Sequence, residues 1–419
     1  MSEDFPSFTD EAVQRCPFPL IKRAHAEAPV YRDPTTGFFV VTRYDDIVPI
    51  LEKPAVFSNT TTVVFGNTTR PGGQEVLRLY EETGWPRMHT LTTADPPEHT
   101  RYRKMADKVF TPSFVKQLEP EVTKIVDELI DAFIDAGTVD LRTEFGIKLP
   151  MFVISDQLGV PREKWQMFKL WSDSAIALVN PGLTREKWLE LAKINIEMQH
   201  YLVAKRDEYE AEPAEKLLSM LAHVELDGER LTTREFVSLS HQFLVAGNET
   251  TTGALVQAVA MLIQDPGLMQ RVRADLSLLP GFIEESLRIH APSPHLYRLA
   301  KEDVTVGGVD IPAGSVLMIS YLAGNHDESR FACPDDVDLG RKGIRNHLSF
   351  GRGIHHCIGH LLARSELRIG LTRLLERLED IRFDPAYPEP KFAALFHIHQ
   401  LDSLHITFRP ADQWQDKAA

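Results

Sequence analysis

Residues 347–360 contain a cysteine whose sequence context favours the thiolate form. Cys357 is one of three cysteines in the 419-residue chain, and two glycines, Gly351 and Gly353, precede it. Glycine adopts backbone conformations that other residues avoid, so we expect a tight, non-helical loop here. After Cys357 the apolar residues recur at helical spacing, which predicts a long helix. A helix start offers free N–H groups and a positive dipole end, and both stabilise a thiolate.

A single thiolate can be a nucleophile, a metal ligand or simply a small buried side chain. Zinc is disfavoured because no second cysteine lies nearby, and covalent haem attachment would need Cys-x-x-Cys-His, which is absent. A haem held by an axial thiolate needs only one cysteine. The residues around Cys357 leave these alternatives open.

Two further segments have spacings that suit binding or proton transfer. His99 and Arg103 are four residues apart, so on a helix they share one face, either as a binding pair or as part of a solvated basic surface. A capping box, Thr232 with Glu235, opens a predicted helix of about 30 residues. Its middle, residues 246–251, reads Ala-Gly-Asn-Glu-Thr-Thr. These poor helix formers indicate close approach by another group, a local bulge or a helix–helix contact.

A third segment combines an acid, two arginines and prolines. Glu285 and Arg288 are three residues apart on a predicted helix and can pair on one face. Arg298 follows ten residues after Arg288, in a stretch whose prolines impose an extended course.

These segments together resemble the cytochrome P450 superfamily. The six positions of that family's haem-binding loop are filled, in order, by Phe350, Gly351, Gly353, His355, Cys357 and Gly359. The paired His and Arg, Ala-Gly-x-Glu-Thr and Glu-x-x-Arg precede the loop in the family's order. The resemblance covers most of the chain. It implies a mainly α-helical fold with a small β-rich lobe, and a haem between the long central helix and the Cys loop.

The resemblance implies how a haem b would be held. Cys357 would be the proximal iron ligand, on the loop that Phe350 and Gly351 help to form. The haem propionates would be bound by His99, Arg103, Arg298 and His355. Glu285 and Arg288 would form a structural ion pair outside the chemistry.

The resemblance also assigns roles within the central helix. Ala246 and Gly247 would leave room for dioxygen, Thr250 would donate a hydrogen bond towards it, and Glu249 would help to relay protons. The expected activity is a monooxygenase that hydroxylates a small hydrophobic molecule. Two alternatives stay open: a haem-thiolate enzyme that uses peroxide or isomerises its substrate, and a haem sensor without turnover.

Composition excludes several classes of partner. The net charge is −14, from 60 acidic and 46 basic residues, which argues against nucleic-acid and anionic-membrane binding. Three scattered cysteines give no disulfide framework and suit a reducing compartment. No signal peptide or membrane anchor is visible at the start of the sequence. We therefore expect a cytoplasmic protein. Within the resembled family, the lack of a visible anchor implies the bacterial-type branch, and a monomer is expected.

The elements predicted along the chain fit one catalytic domain, residues 1–419. Residues 30–42 predict a hairpin, and residues 304–306 and 316–319 predict a small sheet with tight turns. Helices are predicted at 162–180 and 184–209, around a turn at 180–182. Segments 56–93 and 176–205 are expected to form mobile lids, the first because it is long and irregular.

Substrate contacts are expected from the least patterned segments and from the resemblance. The candidates are Phe65, Trp85, Leu91, Val245, Pro294, His295, Leu296 and Phe396. They suggest a terpenoid, steroid-like or aromatic substrate. No carboxylate clamp is evident, although Arg87 and His89 could provide one.

Electrons must come from another protein, because no flavin or iron–sulfur domain is appended. A ferredoxin and its NAD(P)H-dependent reductase are the expected donors. Such donors are usually acidic, so a basic docking face is needed. Its candidates are Arg101, Arg345, Arg352 and Arg364.

Overall fold

The structure is a computed structural model that describes residues 5–61, 72–178 and 183–411. The chain forms two compact units. Unit 1 comprises Met1–Phe57, Gln117–Pro150 and Glu249–Ala419, and unit 2 comprises Ser58–Lys116 and Met151–Asn248. The predicted substrate contact Phe65 and the predicted turn at 180–182 lie outside the described residues.

Unit 1 contains the sheets and the helices that follow them. Its helices are α1 (Glu11–Arg15), α2 (Phe18–Glu27), α3 (Tyr44–Glu52), α12 (Pro266–Ala274), α13 (Leu279–His290), α14 (Tyr321–Asn325) and α15 (His360–Arg377). Its strands are β1 (Val30–Arg32), β2 (Phe39–Val41), β4 (Thr138–Asp140), β7 (His295–Ala300), β8 (Val304–Val306), β9 (Val309–Ile311), β10 (Val316–Ser320), β11 (Leu378–Phe383) and β12 (His405–Pro410). The short strand β3 (Phe57–Ser58) spans the boundary of the units.

The main sheet of unit 1 has the strand order β1-β2-β10-β7-β3. The predicted hairpin is confirmed, because β1 and β2 pair antiparallel with Val30 opposite Val41. The small sheet predicted from residues 304–306 and 316–319 is wrong in its pairing. β8 pairs with β9 across Gly307 and Gly308, whereas β10 joins the main sheet. Both stretches have strand composition, and only tertiary packing decides which strands become partners.

Unit 2 is largely helical. Its helices are α4 (Gly73–Thr83), α5 (Glu98–Val109), α8 (Trp165–Ala177), α9 (Arg185–Ala211) and α10 (Leu217–His223), with a small hairpin of β5 (Glu225–Leu226) and β6 (Glu229–Arg230). Both expected lid segments contribute to it, because α4 and α9 share one apolar cluster. Its members include Val76, Tyr80, Leu178, Trp188, Leu191 and Ile196. The predicted helices at 162–180 and 184–209 are confirmed to within a few residues.

Three helices cross the boundaries between the two units. They are α6 (Pro112–Asp131), α7 (Lys148–Gln157) and α11 (Thr233–Gln264). The 32-residue helix α11 confirms the predicted central helix. Its capping box forms as predicted, since the Thr232 N–H donates to Glu235 Oε2 and the Glu235 N–H donates to Thr232 Oγ1. No helix within the described ranges is long and apolar enough to cross a membrane.

A fully buried ion pair anchors helix α13. Arg288 donates two hydrogen bonds to Glu285, at 2.9 and 3.0 Å, and both side chains are fully buried. Arg288 also donates to the carbonyl oxygens of Asn325, Pro334 and Asp336. Although burial opposes its ionisation, these hydrogen bonds hold the pKa of Glu285 below its usual value. The pair therefore ties α13 to α14 and to residues 333–341.

Glu366 on α15 is a second buried carboxyl, and it has no cation beside it. It is 3 % exposed, and no described residue forms an ion pair with it. Burial raises the pKa of Glu366 to about 8. The side chain is therefore neutral at neutral pH, because desolvation disfavours the carboxylate.

Arg288→Ala is expected to destabilise the fold strongly. It leaves the Glu285 carboxylate buried without its bidentate partner, a loss that costs about 3–5 kcal/mol. The control is Lys187→Ala, which breaks an exposed pair with Glu190 at the same three-residue spacing and costs at most about 1 kcal/mol. Denaturant unfolding of both variants measures the difference. Equal losses would contradict the anchoring role of the pair.

Glu366→Gln is expected to stabilise the protein increasingly as pH rises from about 4.5 to about 8. Over this range the unfolded chain has released a proton that the folded state retains, so the stability of the wild type falls with pH. Glutamine removes this loss, and each pKa unit corresponds to about 1.4 kcal/mol. Melting temperatures of variant and wild type across this range test it. The exposed Glu389→Gln controls for replacing a carboxyl by an amide. A gain that does not change with pH would contradict a buried neutral carboxyl.

Candidate functional site

The loop before Cys357 has a backbone that only glycine accepts. Gly351 and Gly353 have φ values of +64° and +71°. A Cβ at Gly353 would lie 2.4 Å from the carbonyl oxygen of Leu51, so no side chain fits there. The Cys357 N–H donates to the Phe350 carbonyl at 2.9 Å and closes the loop. Helix α15 begins three residues later, so Cys357 lies just before the helix, close to the predicted position.

An apolar surface surrounds Cys357. The apolar side chains of the loop and of the first turn of α15 are only partly buried, although the rest of α15 packs into the core. They are Phe350, Ile354, Ile358, Leu361 and Leu362. Cys357 itself is partly exposed and forms no disulfide. The loop therefore presents one thiol within an apolar surface that the described chain leaves partly uncovered.

Polar contacts hold this loop from behind. The Arg364 guanidinium lies 4.3 Å from the centre of the Phe350 ring and donates to Glu284 at 2.6 Å. Glu284 also contacts His347, which is buried. Burial alone would raise the pKa of Glu284, but the hydrogen bonds from Arg364 and His347 lower it to about 2. Arg364 is thus engaged inside unit 1, which argues against its expected place on a docking face.

Arg298 lies close to the same loop. It is on β7, opposite Leu317 of β10, and it is buried. Its Nη1 donates to the Tyr297 carbonyl at 2.8 Å, and it also interacts with the Tyr321 hydroxyl. Burial raises the pKa of Tyr321, and Arg298 partly offsets that rise. A Cβ at Gly351 would be 3.5 Å from this hydroxyl, so Tyr321 brings the Arg298 cation to the Cys loop. His355 lies in the turn 353–355 of this loop and is partly exposed.

The central helix α11 is continuous through its small residues, so the bulge that the sequence allowed is not formed. Ala246 and Gly247 are exposed although most of the helix is buried. A Cβ at Gly247 would have no neighbour within 4 Å. Thr250 is partly exposed on the same helix. Glycine here leaves an open position on the helix surface.

Glu249 is held by a residue that the sequence did not single out. Its Oε2 accepts a hydrogen bond from Gln400 Nε2 at 3.2 Å, and both side chains are buried. Gln400 also packs by its Cβ, 3.3 Å from the position a Cβ would take at Gly253. Next to it, the His399 carbonyl accepts from Gln257 Nε2 at 2.6 Å. The only sequence signal for Gln400 is a polar residue beside an apolar C-terminal stretch.

His99 and Arg103 lie in unit 2 on α5, which begins at Glu98, directly after Pro96 and Pro97. His99 is 2 % exposed, and burial together with Arg103 lowers its pKa. Arg103 donates through Nε to Asp107 at 2.9 Å. The pair shares one face of the helix, as its spacing predicts.

The candidate substrate contacts of unit 2 differ in their surroundings. Trp85 is partly exposed and its ring packs on that of His200, with centroids 5.2 Å apart. Leu91 is buried, and Val245 on α11 is partly exposed. These observations do not place Trp85, Leu91 and Val245 on one common surface of unit 2.

Two of the four candidate contacts of unit 1, His295 and Phe396, belong to a cluster of rings. The His295 ring lies 4.8 Å from that of Phe396. Next to Phe396 in the sequence, His397 Nδ1 lies 3.2 Å from the Tyr297 hydroxyl. Burial lowers the pKa of His295 to about 3, so its ring is neutral. Leu296 is 42 % exposed and on the other face of β7, because alternate strand residues point to opposite sides. Pro294, just before the strand, is partly exposed.

These features fit a haem. A single thiol among partly exposed apolar side chains suits an axial thiolate ligand against an apolar macrocycle. Arg298 beside the loop supplies the cation that a propionate needs. The donor set thus matches the cofactor that the sequence pattern implies.

Comparison with known proteins identifies the family. The family model described as Cytochrome P450 matches residues 160–392. Cytochrome P450 monooxygenase PikC from Streptomyces venezuelae is 34% identical over 90% of this chain and 89% of its own length.

Solved structures agree with the sequence comparison. Cytochrome P450 CYP109Q5 from Chondromyces apiculatus is 33% identical, with a TM-score of 0.86 over 97% of this chain and 98% of its own. CYP109E1 from Bacillus megaterium in complex with corticosterone is 31% identical, with a TM-score of 0.82 over 94% of this chain and 99% of its own. The predicted fold is therefore confirmed, and this chain belongs to the cytochrome P450 superfamily as a haem b-binding monooxygenase of the bacterial type.

Proposed function

We propose that this monooxygenase hydroxylates a small apolar molecule at a haem whose axial ligand is Cys357. The observation that carries the assignment is the single thiol on a glycine-dependent loop, within an apolar, partly exposed surface and with Arg298 beside it. A haem with an axial thiolate supplies dioxygen activation, since the thiolate favours O–O cleavage.

The chain's own residues would position the cofactor. Phe350 and Gly351 shape the loop, and the propionates are assigned to His99, Arg103, Arg298 and His355. Arg298 is the best supported of these by geometry, because it is buried and reaches the loop through Tyr321. Arg103 donates through Nε to Asp107 at 2.9 Å, a contact that orients its guanidinium.

Protons would reach the site through α11. Thr250 offers a hydroxyl, and Glu249 offers a carboxylate whose position Gln400 sets with its amide. Ala246 has a small side chain and Gly247 has none, so they would leave room for a diatomic ligand to approach the helix. The presence of this acid–hydroxyl pair favours an enzyme that consumes dioxygen over one that uses peroxide or isomerises its substrate.

The substrate is proposed to be a steroid-like, terpenoid or aromatic molecule. A solved relative binds corticosterone, and the candidate contacts of this chain are mainly apolar. They are Trp85, Leu91, Val245, Pro294, His295, Leu296 and Phe396, with Phe65 outside the described residues. Segments 56–93 and 176–205 are proposed to move as lids within a single catalytic domain.

The electron donor is proposed to be a ferredoxin, reduced through an NAD(P)H-dependent reductase, in the cytoplasm and with the P450 as a monomer. Ion pairs within the chain argue against two of the four docking candidates. Arg364 pairs with Glu284, and Arg101 pairs with Glu235 at 2.6 Å. Arg352 is bound to Glu52 but 40 % exposed. Arg345 is exposed and forms no ion pair within the described part of the chain, so it is the strongest candidate for an acidic donor.

Cys357→Ser is expected to abolish the thiolate-type Soret band of the carbon monoxide complex, because serine does not supply a thiolate. The absorption spectrum of the reduced protein under carbon monoxide measures this. Cys16→Ser and Cys333→Ser change exposed cysteines and serve as controls that retain the band. A thiolate-type band that survives in Cys357→Ser would reject the ligand assignment.

Thr250→Ala is expected to lower product formed per dioxygen consumed by about tenfold, since a positioned proton donor contributes factors of this size or more. Oxygen consumption should continue as unproductive turnover. Gln400→Leu should lower the same ratio less, because it removes one hydrogen bond to the Glu249 carboxylate and keeps the acid. Thr250→Ser keeps the hydroxyl and is the control. Unchanged coupling in Thr250→Ala would reject the proton-delivery role.

A further inference from the structure

The stretch between α4 and α5 in unit 2 is fixed by hydrogen bonds to its backbone. Gln199 accepts from the Trp85 N–H and donates to the Trp85 carbonyl, both at 2.9 Å. Arg234 donates to the carbonyls of Pro86 and Arg87. These contacts join the segment to α9 and α11, and they set the direction in which the Arg87 side chain leaves the backbone.

The Arg87 guanidinium is held by two neutral side chains. Its Nη2 donates to Asn195 Oδ1 and to His241 Nε2, each at 3.0 Å. Burial, together with Arg87, lowers the pKa of His241 well below its usual value. His241 is therefore neutral, and its Nε2 lone pair accepts from Arg87. Both acceptors bind the same nitrogen, and the Tyr80 hydroxyl also interacts with the guanidinium. Since a guanidinium has five N–H donors, donors remain for a further partner.

No carboxylate balances this charge. No Asp or Glu of the described residues forms an ion pair with Arg87. The internal stretches 62–71 and 179–182, outside the described residues, contain no Asp or Glu. Burial lowers the pKa of Arg87, yet its side chain keeps some exposure. A desolvated cation without a counter-ion is costly, so a site that keeps one gains most from an anionic ligand.

Tyr80 adds a second polar group beside the guanidinium. It is 6 % exposed, and its hydroxyl interacts with Arg87. Burial raises the pKa of Tyr80, and the nearby Arg87 guanidinium partly offsets the rise. The hydroxyl lies on α4, within the apolar cluster that contains Val76 and Leu191. A guanidinium edge and a hydroxyl thus lie together in otherwise apolar surroundings.

His89, the other side chain that the sequence offered for a clamp, does not add charge. Burial lowers the pKa of His89, so its ring is neutral near neutral pH. The anion-binding group therefore consists of Arg87 with Tyr80, positioned by Asn195 and His241.

We propose that Arg87 and Tyr80 bind a carboxylate of the substrate, so that the enzyme acts on an apolar organic acid. This inference rests on the proposed hydroxylase function and narrows its substrate class. A carboxylate matches the site because it accepts two parallel hydrogen bonds from a guanidinium edge and a further one from a hydroxyl. The apolar cluster that contains Tyr80 matches the hydrocarbon part of such an acid in polarity.

The test is a spectral titration of the holoenzyme with matched probes. Palmitic, cholanic and naphthoic acids, each against its methyl ester, represent aliphatic, steroid-like and aromatic skeletons. The shift of the haem from low to high spin reports binding. At least one acid is expected to bind about 10- to 100-fold more tightly than its ester, the range that a lost charge-assisted hydrogen bond corresponds to. Esters that bind as tightly as their acids in every pair would overturn the proposal.

Variants separate recognition from folding. Arg87→Leu should erase the preference for the acid while leaving the affinity for its ester within about threefold. Tyr80→Phe, which removes only the hydroxyl, should reduce acid affinity by about 3- to 10-fold. Arg78→Leu removes an exposed arginine from the same helix as Tyr80 and should leave both affinities unchanged. Equal loss of acid and ester affinity in Arg87→Leu and in Tyr80→Phe would assign the pair a structural role and overturn the proposal.

Two further readouts distinguish the sources of failure. If Arg87→Leu retains acid affinity but releases haem faster to apomyoglobin, Arg87 serves a haem propionate and the proposal is wrong. If the wild type lacks the thiolate-type carbon monoxide spectrum, the proposed function itself fails. An intact spectrum with no preference for any acid rejects only the carboxylate site.

Discussion

The buried contact between Arg288 and Glu285 is the constraint on which the rest of unit 1 depends. The Arg288 guanidinium donates hydrogen bonds to Glu285 and to three backbone carbonyls from two separate segments. Asn325, on α14, accepts a hydrogen bond from the Leu348 N–H and donates one to the Ser349 hydroxyl, just before the Cys loop. The buried Arg288 side chain therefore helps to position the Cys loop, through its hydrogen bond to Asn325. Removing Glu285 would leave the Arg288 charge desolvated without a carboxylate, and removing Arg288 would leave Glu285 with Arg341 as its remaining cation.

The same rule governs the other ionisable groups of unit 1. Glu284 stays charged because Arg364 and His347 surround it, whereas Glu366, with no cation near it, holds its proton. Four histidines around the C-terminal segment are neutral because burial lowers their pKa values. They are His290, His295, His397 and His399. The surroundings of the C-terminal segment thus keep few net charges, and through Gln400 this segment contacts the Glu249 carboxylate of the central helix.

Local patterns determined how much could be predicted. The capping box at Thr232, the hairpin at residues 30–42 and the Cys loop depend on residues close in sequence, and their types already fix the backbone. The pairing of β8 with β9 and the continuity of α11 depend on packing, so the patterns gave the wrong partner for β8 and left a bulge open. Gln400 lies 151 residues from Glu249, and Asn195 lies 108 residues from Arg87. No periodicity links such pairs, because only the tertiary fold brings them together.

Arg87 departs from the rule that buried charges are paired, and the departure has a physical consequence for selectivity. Its three neighbours, Asn195, His241 and Tyr80, are neutral, so none offsets the cost of desolvating the guanidinium. A ligand with a carboxylate removes that cost, whereas a neutral analogue of the same shape leaves it in place. A site built around a buried polar group therefore rejects the wrong ligand more strongly than an apolar pocket distinguishes skeletons. On this argument the charge of the substrate is recognised more sharply than its hydrocarbon frame, which the apolar contacts accept with less discrimination.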